Sequence, residues 1–188
     1  MTTNFEIPWE RYALIAEIVQ RFHAVNHRLG KTALQKMIFL LQRSFGVDVD
    51  YTYTLYTYGP YCAAVARDLD IVEGFGGAQV LYDFGFAGYE IRPGATNEEI
   101  RERSDSFLKA IAPQLDKLVS GFGSFSAKEL ELRSTIIYLS KPGLSRDELI
   151  QQVHDVKPHF TPQTIDNALR DLESAGYVTL GGTMRAGG

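Results

Sequence analysis

The sequence has a single cysteine, Cys62, among its 188 residues. No disulfide can therefore form within the chain. Cys62 lies between Tyr61 and Ala63 at the start of a predicted helix, with no histidine close in sequence. A small buried hydrophobic residue is the expected role. A reactive thiol is the alternative, because a helix start favours the thiolate.

Long apolar runs and a surplus of positive charge are also missing. No apolar stretch approaches the roughly 20 residues that a membrane-spanning helix needs, and the first residues are too polar for a secretion signal. We therefore expect a soluble cytoplasmic protein with no membrane partner. The formal net charge is −4, so binding to nucleic acid would depend on a local patch of basic residues.

Groups of residues that could carry catalysis are sparse. No Ser-His-Asp spacing, acidic pair or nucleophile elbow stands out. The Gly-Lys-Thr at 30–32 resembles the end of a phosphate-binding loop, but Val25 occupies the position of the required earlier glycine. His23 and His27 have helical spacing without a third ligand nearby. We predict no catalytic residue, no metal site and no cofactor.

The apolar residues, 45% of the chain, recur with helical spacing in the N-terminal part. They predict one helix after Pro8 and a second, central helix over 33–45, with Gly30 ending the first and Thr32 capping the second. The segment from 18 to 47 has five basic residues and no acid: Arg21, Arg28, Lys31, Lys36 and Arg43. A solvated face is the simple interpretation. A docking patch for an acidic partner or a nucleic-acid backbone is the alternative.

Residues 51–58 are β-branched and aromatic, which predicts a single strand. The alternation breaks within it, because Tyr56 and Tyr58 fall on the face opposite to the preceding tyrosines. Both faces are therefore expected to be covered near 55–58, or a bulge resets the phase. Gly59-Pro60 ends the strand and begins a third helix, on which Asp68 is expected to be exposed to solvent.

Two further strands, 79–84 and 86–92, flank Gly85 and predict a hairpin. With the strand at 51–58 they would form one small antiparallel sheet. Residues 97–118 are charged and helical and predict an outer helix. The N-terminal part is therefore expected to combine helices with a small sheet.

The Gly-Phe-Gly-Ser at 121–124 predicts a boundary between an N-terminal lobe, 1–120, and a C-terminal module, 125–182. Capping boxes at Ser126 and Ser145 and the Thr-Pro at 161–162 predict three helices in that module. Residues 177–180 predict a strand, and residues 183–188 a flexible tail. Three helices followed by a strand are the order of a winged-helix module. The expected fold class is α+β and mostly helical, with a three-helix winged-helix-like module.

The third helix of the module is in the position that reads DNA in winged-helix proteins. Gln163, Asn167 and Arg170 have side chains that could contact base edges. Acidic residues outnumber the single arginine, although phosphate contacts by Lys and Arg normally dominate DNA affinity. DNA binding is therefore possible in geometry and disfavoured by charge.

Several blocks of the chain resemble the YwgA-like proteins, an uncharacterised prokaryotic family. They are LQKMIFLLQ at 34–42, YTYTLYTYGPYCAAVARDLDIV at 51–72, ELELRSTIIYLSK at 129–141 and LIQQVHDVKPHFTPQTIDNALRDLESAGYV at 149–178. The first two blocks also resemble the Panacea (SocA-like) antitoxin domain, in which a K-L-h-Y-h-A-Q helix precedes a strand, Y-G-P and another helix. The resemblance implies neutralisation of a toxin by direct contact, or an adaptor role for a protease. Tyr61, the many strand tyrosines and the longer C-terminal module depart from that pattern.

These observations favour a non-enzymatic protein-interaction or regulatory protein, antitoxin-like or adaptor-like, whose partner is another protein or a second copy of the chain. The predicted interaction residues are Arg28, Lys31, Lys36, Arg43, Tyr56, Tyr58 and Tyr61. Self-association would use the tyrosine strand or the C-terminal helices. A DNA-binding regulator is the first alternative, and an enzyme with a site at the Tyr58–Tyr61 turn is the second.

Overall fold

The computed structural model describes residues 7–180, which form eight helices and two antiparallel hairpins. The elements are α1 Trp9–Ala24, α2 Lys31–Phe45, β1 Thr54–Tyr56, β2 Gly59–Tyr61, α3 Ala63–Gly74, β3 Ala78–Asp83, β4 Gly88–Pro93, α4 Asn97–Glu102, α5 Asp105–Phe122, α6 Ala127–Leu139, α7 Arg146–Val156 and α8 Pro162–Ser174. The predicted mostly helical α+β class is confirmed. The tail predicted at 183–188 lies outside the described residues.

Helix α2 is the centre of the core, as predicted. Every residue from Ala33 to Leu41 is buried, and the helix contacts α3, α5, α6, β2 and β4. Both predicted boundaries before this helix are wrong. Helix α1 ends at Ala24 and not at Gly30, and α2 begins at Lys31 without a capping bond from the Thr32 side chain. Gly30 precedes α2 instead. A Cβ atom on it would lie 3.1 Å from the carbonyl oxygen of Tyr89, so glycine lets β4 approach closely.

The predicted strand at 51–58 is wrong. Only Thr54–Tyr56 is a strand, and it pairs with Gly59–Tyr61 in a tight hairpin, with Tyr56 opposite Gly59. The backbone of Tyr51 instead binds the Gln42 amide: Nε2 donates to the Tyr51 carbonyl at 2.9 Å and Oε1 accepts from the Tyr51 N–H at 3.3 Å. Gly59-Pro60 does not begin the third helix, as was predicted, because both residues lie in β2 and α3 begins at Ala63.

The predicted β3–β4 hairpin is confirmed, with Val80 opposite Ile91. It does not join β1 and β2, so the expectation of one common sheet is wrong. The predicted outer helix at 97–118 is two helices, α4 and α5.

In the C-terminal part, both predicted capping boxes are confirmed, and the Thr161 side chain caps α8. Residues 177–180 form no strand, so that prediction is wrong. The Tyr177 ring instead packs against Phe45 and Phe122, with centroid distances of 5.6 and 4.8 Å. Helix α6 packs on α2 and β2, which joins the C-terminal helices to the core. Within residues 7–180, no helix is long and apolar enough to cross a membrane.

Candidate functional site

A pocket of about 350 Å³ opens between α2, α3 and the β1–β2 hairpin. We call it the tyrosine pocket, because Tyr56, Tyr58 and Tyr61 form its rim. Its buried wall includes the apolar residues Leu34 and Leu69 and the polar residues Gln35 and Lys36. The further lining residues are Lys31, Thr32, Gly59, Val65, Ala66 and Asp70. The volume lies at the lower end of the range found for ligand pockets in proteins.

The rim tyrosines are exposed to solvent, which contradicts the expected cover on both faces of 55–58. Tyr56 is 66%, Tyr58 62% and Tyr61 37% exposed. The rings of Tyr56 and Tyr61 lie 5.8 Å apart and pack against each other. Tyr51, by contrast, is buried at 4% exposed.

Two buried lysines hold the hairpin from its inner side. Lys36 Nζ donates to the Pro60 carbonyl oxygen at 2.8 Å. Lys157 Nζ donates to the Tyr56 carbonyl at 3.0 Å and also to that of Thr57. Each lysine is only 2% exposed. Lys36 thus supports the hairpin from inside and does not face solvent, where the sequence-based hypothesis placed it.

Glu131 of α6 supplies the negative charge next to these lysines. Its Oε1 atom lies 3.2 Å from Lys157 Nζ and 3.2 Å from His159 Nε2. Burial lowers the pKa of Lys36 to about 8, while attraction to Glu131 opposes this shift and repulsion from Lys157 adds to it. Sequence patterns missed both Lys157 and Glu131, because neither has a neighbour in sequence that indicates the contact.

Gly59 is required where the hairpin meets α6. Its φ of +90° favours glycine, and a Cβ atom there would lie 3.1 Å from Thr135 Oγ1 and 3.2 Å from Ser134 Oγ. At the following strand end, the Gln35 amide binds the Cys62 backbone, donating at 2.9 Å and accepting at 3.0 Å. The backbone beneath the tyrosines is therefore fixed by side chains of α2 and by Lys157.

The predicted basic residues do not form one patch. Arg28 lies over the Phe86 ring at 4.3 Å. Lys31, which lines the tyrosine pocket, lies over the Tyr89 ring at 4.6 Å. Arg43 is exposed in the last turn of α2, about 18 Å along the helix axis from Lys31. Arg21 is paired with Glu17 at 2.6 Å.

Asp68, which was expected to be exposed, is 3% exposed. Its Oδ2 atom accepts hydrogen bonds from Tyr51 Oη and Arg11 Nε, both at 2.8 Å. Burial and the Asp68 charge raise the pKa of Tyr51. Cys62 is buried, as predicted.

The residues of the DNA-binding alternative lie exposed on α8. Gln163 donates to Asn167 at 3.0 Å, and Arg170 is paired with Asp166 at 2.5 Å. Arg146 from α7 also binds Asp166, at 2.6 Å. The acids of α8 thus neutralise the arginines around it.

In the described part of the chain, no three His, Cys, Asp or Glu side chains are grouped so that they could hold a metal ion. His23 is exposed, and His154 Nδ1 binds the Phe160 carbonyl at 2.9 Å. No protein-family model matches the chain, and no curated protein matches it.

Proposed function

We propose that the protein is a non-enzymatic interaction protein and that a partner protein docks on the tyrosine pocket. One observation carries this proposal: three exposed tyrosines stand on a hairpin whose backbone is held by two buried lysines. Tyrosine is enriched at the energetic centres of protein interfaces. A rim that is already ordered also lowers the entropy that a partner must overcome.

The lining of the pocket defines the chemistry of the partner. The apolar part of the wall, at Leu34 and Leu69, fits one large apolar side chain. Lys31 is exposed in the lining, with its ammonium group over the Tyr89 ring, and it forms no ion pair with another described residue. An acidic residue beside the apolar side chain of the partner would pair with it. The expected partner segment is therefore apolar with an adjacent carboxylate.

The sequence resemblance supports the same class of function. Leu34, Lys36, Met37 and Gln42 stand near the helix pattern of Panacea domains, and the Tyr-Gly-Pro at 58–60 matches their motif. Those domains are implicated in toxin neutralisation by direct contact. An antitoxin-like or adaptor-like role is the proposal that agrees with both the resemblance and an exposed docking surface.

Quantitative co-purification from the native host tests this proposal. Tyr58→Ala removes a rim ring and Lys31→Glu reverses the rim charge, so both should reduce recovery of one stoichiometric partner. Arg43→Glu makes the same charge change at the far end of α2 and should leave recovery unchanged. Equal recovery with all three variants, or no stoichiometric partner at all, would rule out docking at this pocket.

The alternative of a DNA-binding regulator has less support. Asp166 neutralises both Arg170 and Arg146 next to the positions that would face DNA, and phosphate binding needs unpaired positive charge. We expect no retardation of duplex DNA at about 50 mM salt, a condition that strengthens phosphate contacts. Retardation that is lost in Arg170→Ala would favour the alternative.

A further inference from the structure

The hydrogen bonds of Val80 and Ile91 show which backbone groups of strand β3 point to its outer edge. Val80 N–H donates to Glu73 Oε1 at 2.9 Å, and Ile91 N–H donates to the Leu29 carbonyl at 2.8 Å. Val80 and Ile91 are opposite each other in the β3–β4 register. Since both N–H groups bond elsewhere, they point away from each other. The two residues therefore form a non-hydrogen-bonded pair.

Such pairs alternate along an antiparallel ladder, so Tyr82 opposite Tyr89 is also a non-hydrogen-bonded pair. The N–H and C=O of Tyr82 therefore point to the outer edge of β3. Residues 28–30 cover the outer edge of β4, through the Leu29 carbonyl. In the described part of the chain, no group pairs with the backbone of Tyr82 on the outer edge of β3.

Apart from the exposed Glu73 side chain at the Val80 N–H, little in the described part of the chain protects this edge against pairing. Its sequence, AQVLYD, lacks the Lys, Arg and Pro with which proteins block strand edges. Leu81 is 43%, Tyr82 47% and Phe84 88% exposed. The single charge, Asp83, lies 3.6 Å from Arg28. The Glu73 carboxylate at Val80 is exposed and has no ion-pair partner among the described residues, so a pairing strand has to displace it.

We infer that a second copy of the chain pairs with this edge, β3 against β3, around a two-fold axis at Tyr82. The two Tyr82 residues would exchange both N–H···O bonds. The carbonyl of Val80 would accept from the Phe84 N–H of the other copy, and the Phe84 carbonyl would replace Glu73 at the Val80 N–H. Two hairpins would then form one four-stranded sheet. A two-fold interface of this kind is self-complementary and closed.

The aromatic rings near the axis favour this arrangement. The Tyr82 ring lies 4.9 Å from Phe84 and 5.3 Å from Tyr89. Pairing would place Phe84 of each copy across from Val80 of the other, and cross-strand aromatic and β-branched pairs stabilise sheets. The edge is separate from the tyrosine pocket, so this inference and the proposed function can fail independently.

Cysteine cross-linking of the full chain tests the inference. Tyr82→Cys should form a disulfide-linked dimer under mild oxidation, because the two-fold axis brings the new thiols together. Tyr89→Cys is the matched control: both tyrosines are 47% exposed, but Tyr89 lies on β4, whose outer edge is covered by residues 28–30. The native Cys62 is 4% exposed and does not compete. Equal cross-linking of the two variants would overturn the inference.

Two further measurements use the unmodified chain. Light scattering should give a mass that rises with concentration to twice 21.0 kDa, and Tyr82→Lys should abolish the dimer by placing a charge on the edge. In hydrogen exchange of the wild type, protection of the Tyr82 and Phe84 amides should increase with protein concentration. A monomeric mass at all concentrations, or protection that does not change, would contradict the inference, and would leave the edge to a different protein.

Discussion

Lys157 Nζ donates a hydrogen bond to the carbonyl oxygen of Tyr56 at 3.0 Å, across 101 residues of sequence. This contact brings the end of α7 to the hairpin that forms the rim of the tyrosine pocket. Glu131 lies 3.2 Å from the same ammonium group. The C-terminal helices thus hold a surface that the N-terminal part displays. Exposed rings and a fixed backbone occur together for this reason.

The Lys157 contact should be important for stability. Lys157→Met would leave Glu131 without its buried cation and two hairpin carbonyls without a donor. Removing one partner of a buried ion pair costs about 3–5 kcal/mol. Urea unfolding should therefore show a loss of that size. Lys141→Met, at an exposed position, should change the free energy of unfolding by less than about 0.5 kcal/mol. Similar changes in the free energy of unfolding for both variants would show that the buried Lys157 contact does not stabilise the fold.

Stability should depend on pH through Lys36. Burial lowers its pKa from 10.5 to about 8, so between those values the unfolded state binds more protons than the folded state. Stability contributed by this group therefore rises as pH increases through that window, by up to about 3 kcal/mol. The free energy of unfolding of the wild type relative to Lys36→Met should rise from pH 8 to pH 10.5 and stay constant from pH 6 to pH 7.

The buried tyrosines act in the opposite direction at high pH. Burial raises the pKa of Tyr51 and of Tyr53, so both contribute stability that is lost as pH rises above the normal value of 10. This loss is common to the wild type and to Lys36→Met and cancels in their difference. A difference that does not change across the window would show that folding does not lower the pKa of Lys36.

Gly59 offers a test of the packing between the hairpin and α6. Gly59→Ala would combine a left-handed backbone with a Cβ atom 3.1 Å from Thr135 Oγ1. We expect a loss of about 1–3 kcal/mol from the backbone alone, with a further loss from the crowding. Gly143→Ala is the control, because Gly143 has a φ of +88° and open space around it. Equal losses of stability in thermal unfolding would mean that crowding against α6 adds nothing to the backbone cost at Gly59.

Local patterns were enough to predict most helices. Each capping box joins residues within four positions of sequence, and both boxes form: Ser126 with Glu129 and Ser145 with Glu148. The apolar stripe of α2 correctly predicted its central place. These elements are fixed by neighbours in the chain.

The hairpin and its supports could not be predicted in the same way. Tyr51 leaves the expected strand because the side chain of Gln42 binds its backbone. Lys36 was assigned to a surface patch because its charge is visible in the sequence, whereas its acceptor, the Pro60 carbonyl, is a tertiary contact. Asp68 is buried for the same kind of reason, since Arg11 and Tyr51 bind it.

Photo-cross-linking from position 58 tests the central claim most directly. Tyr58, which is 62% exposed, would be replaced by p-benzoylphenylalanine in the native host, and Val25, at 47% exposed and outside the pocket lining, would carry the same probe as a control. We expect one dominant cross-linked protein from position 58 alone, attached at an apolar segment with an adjacent acidic residue, and lost in Lys31→Glu. The same weak products from both positions would contradict docking at the tyrosine pocket.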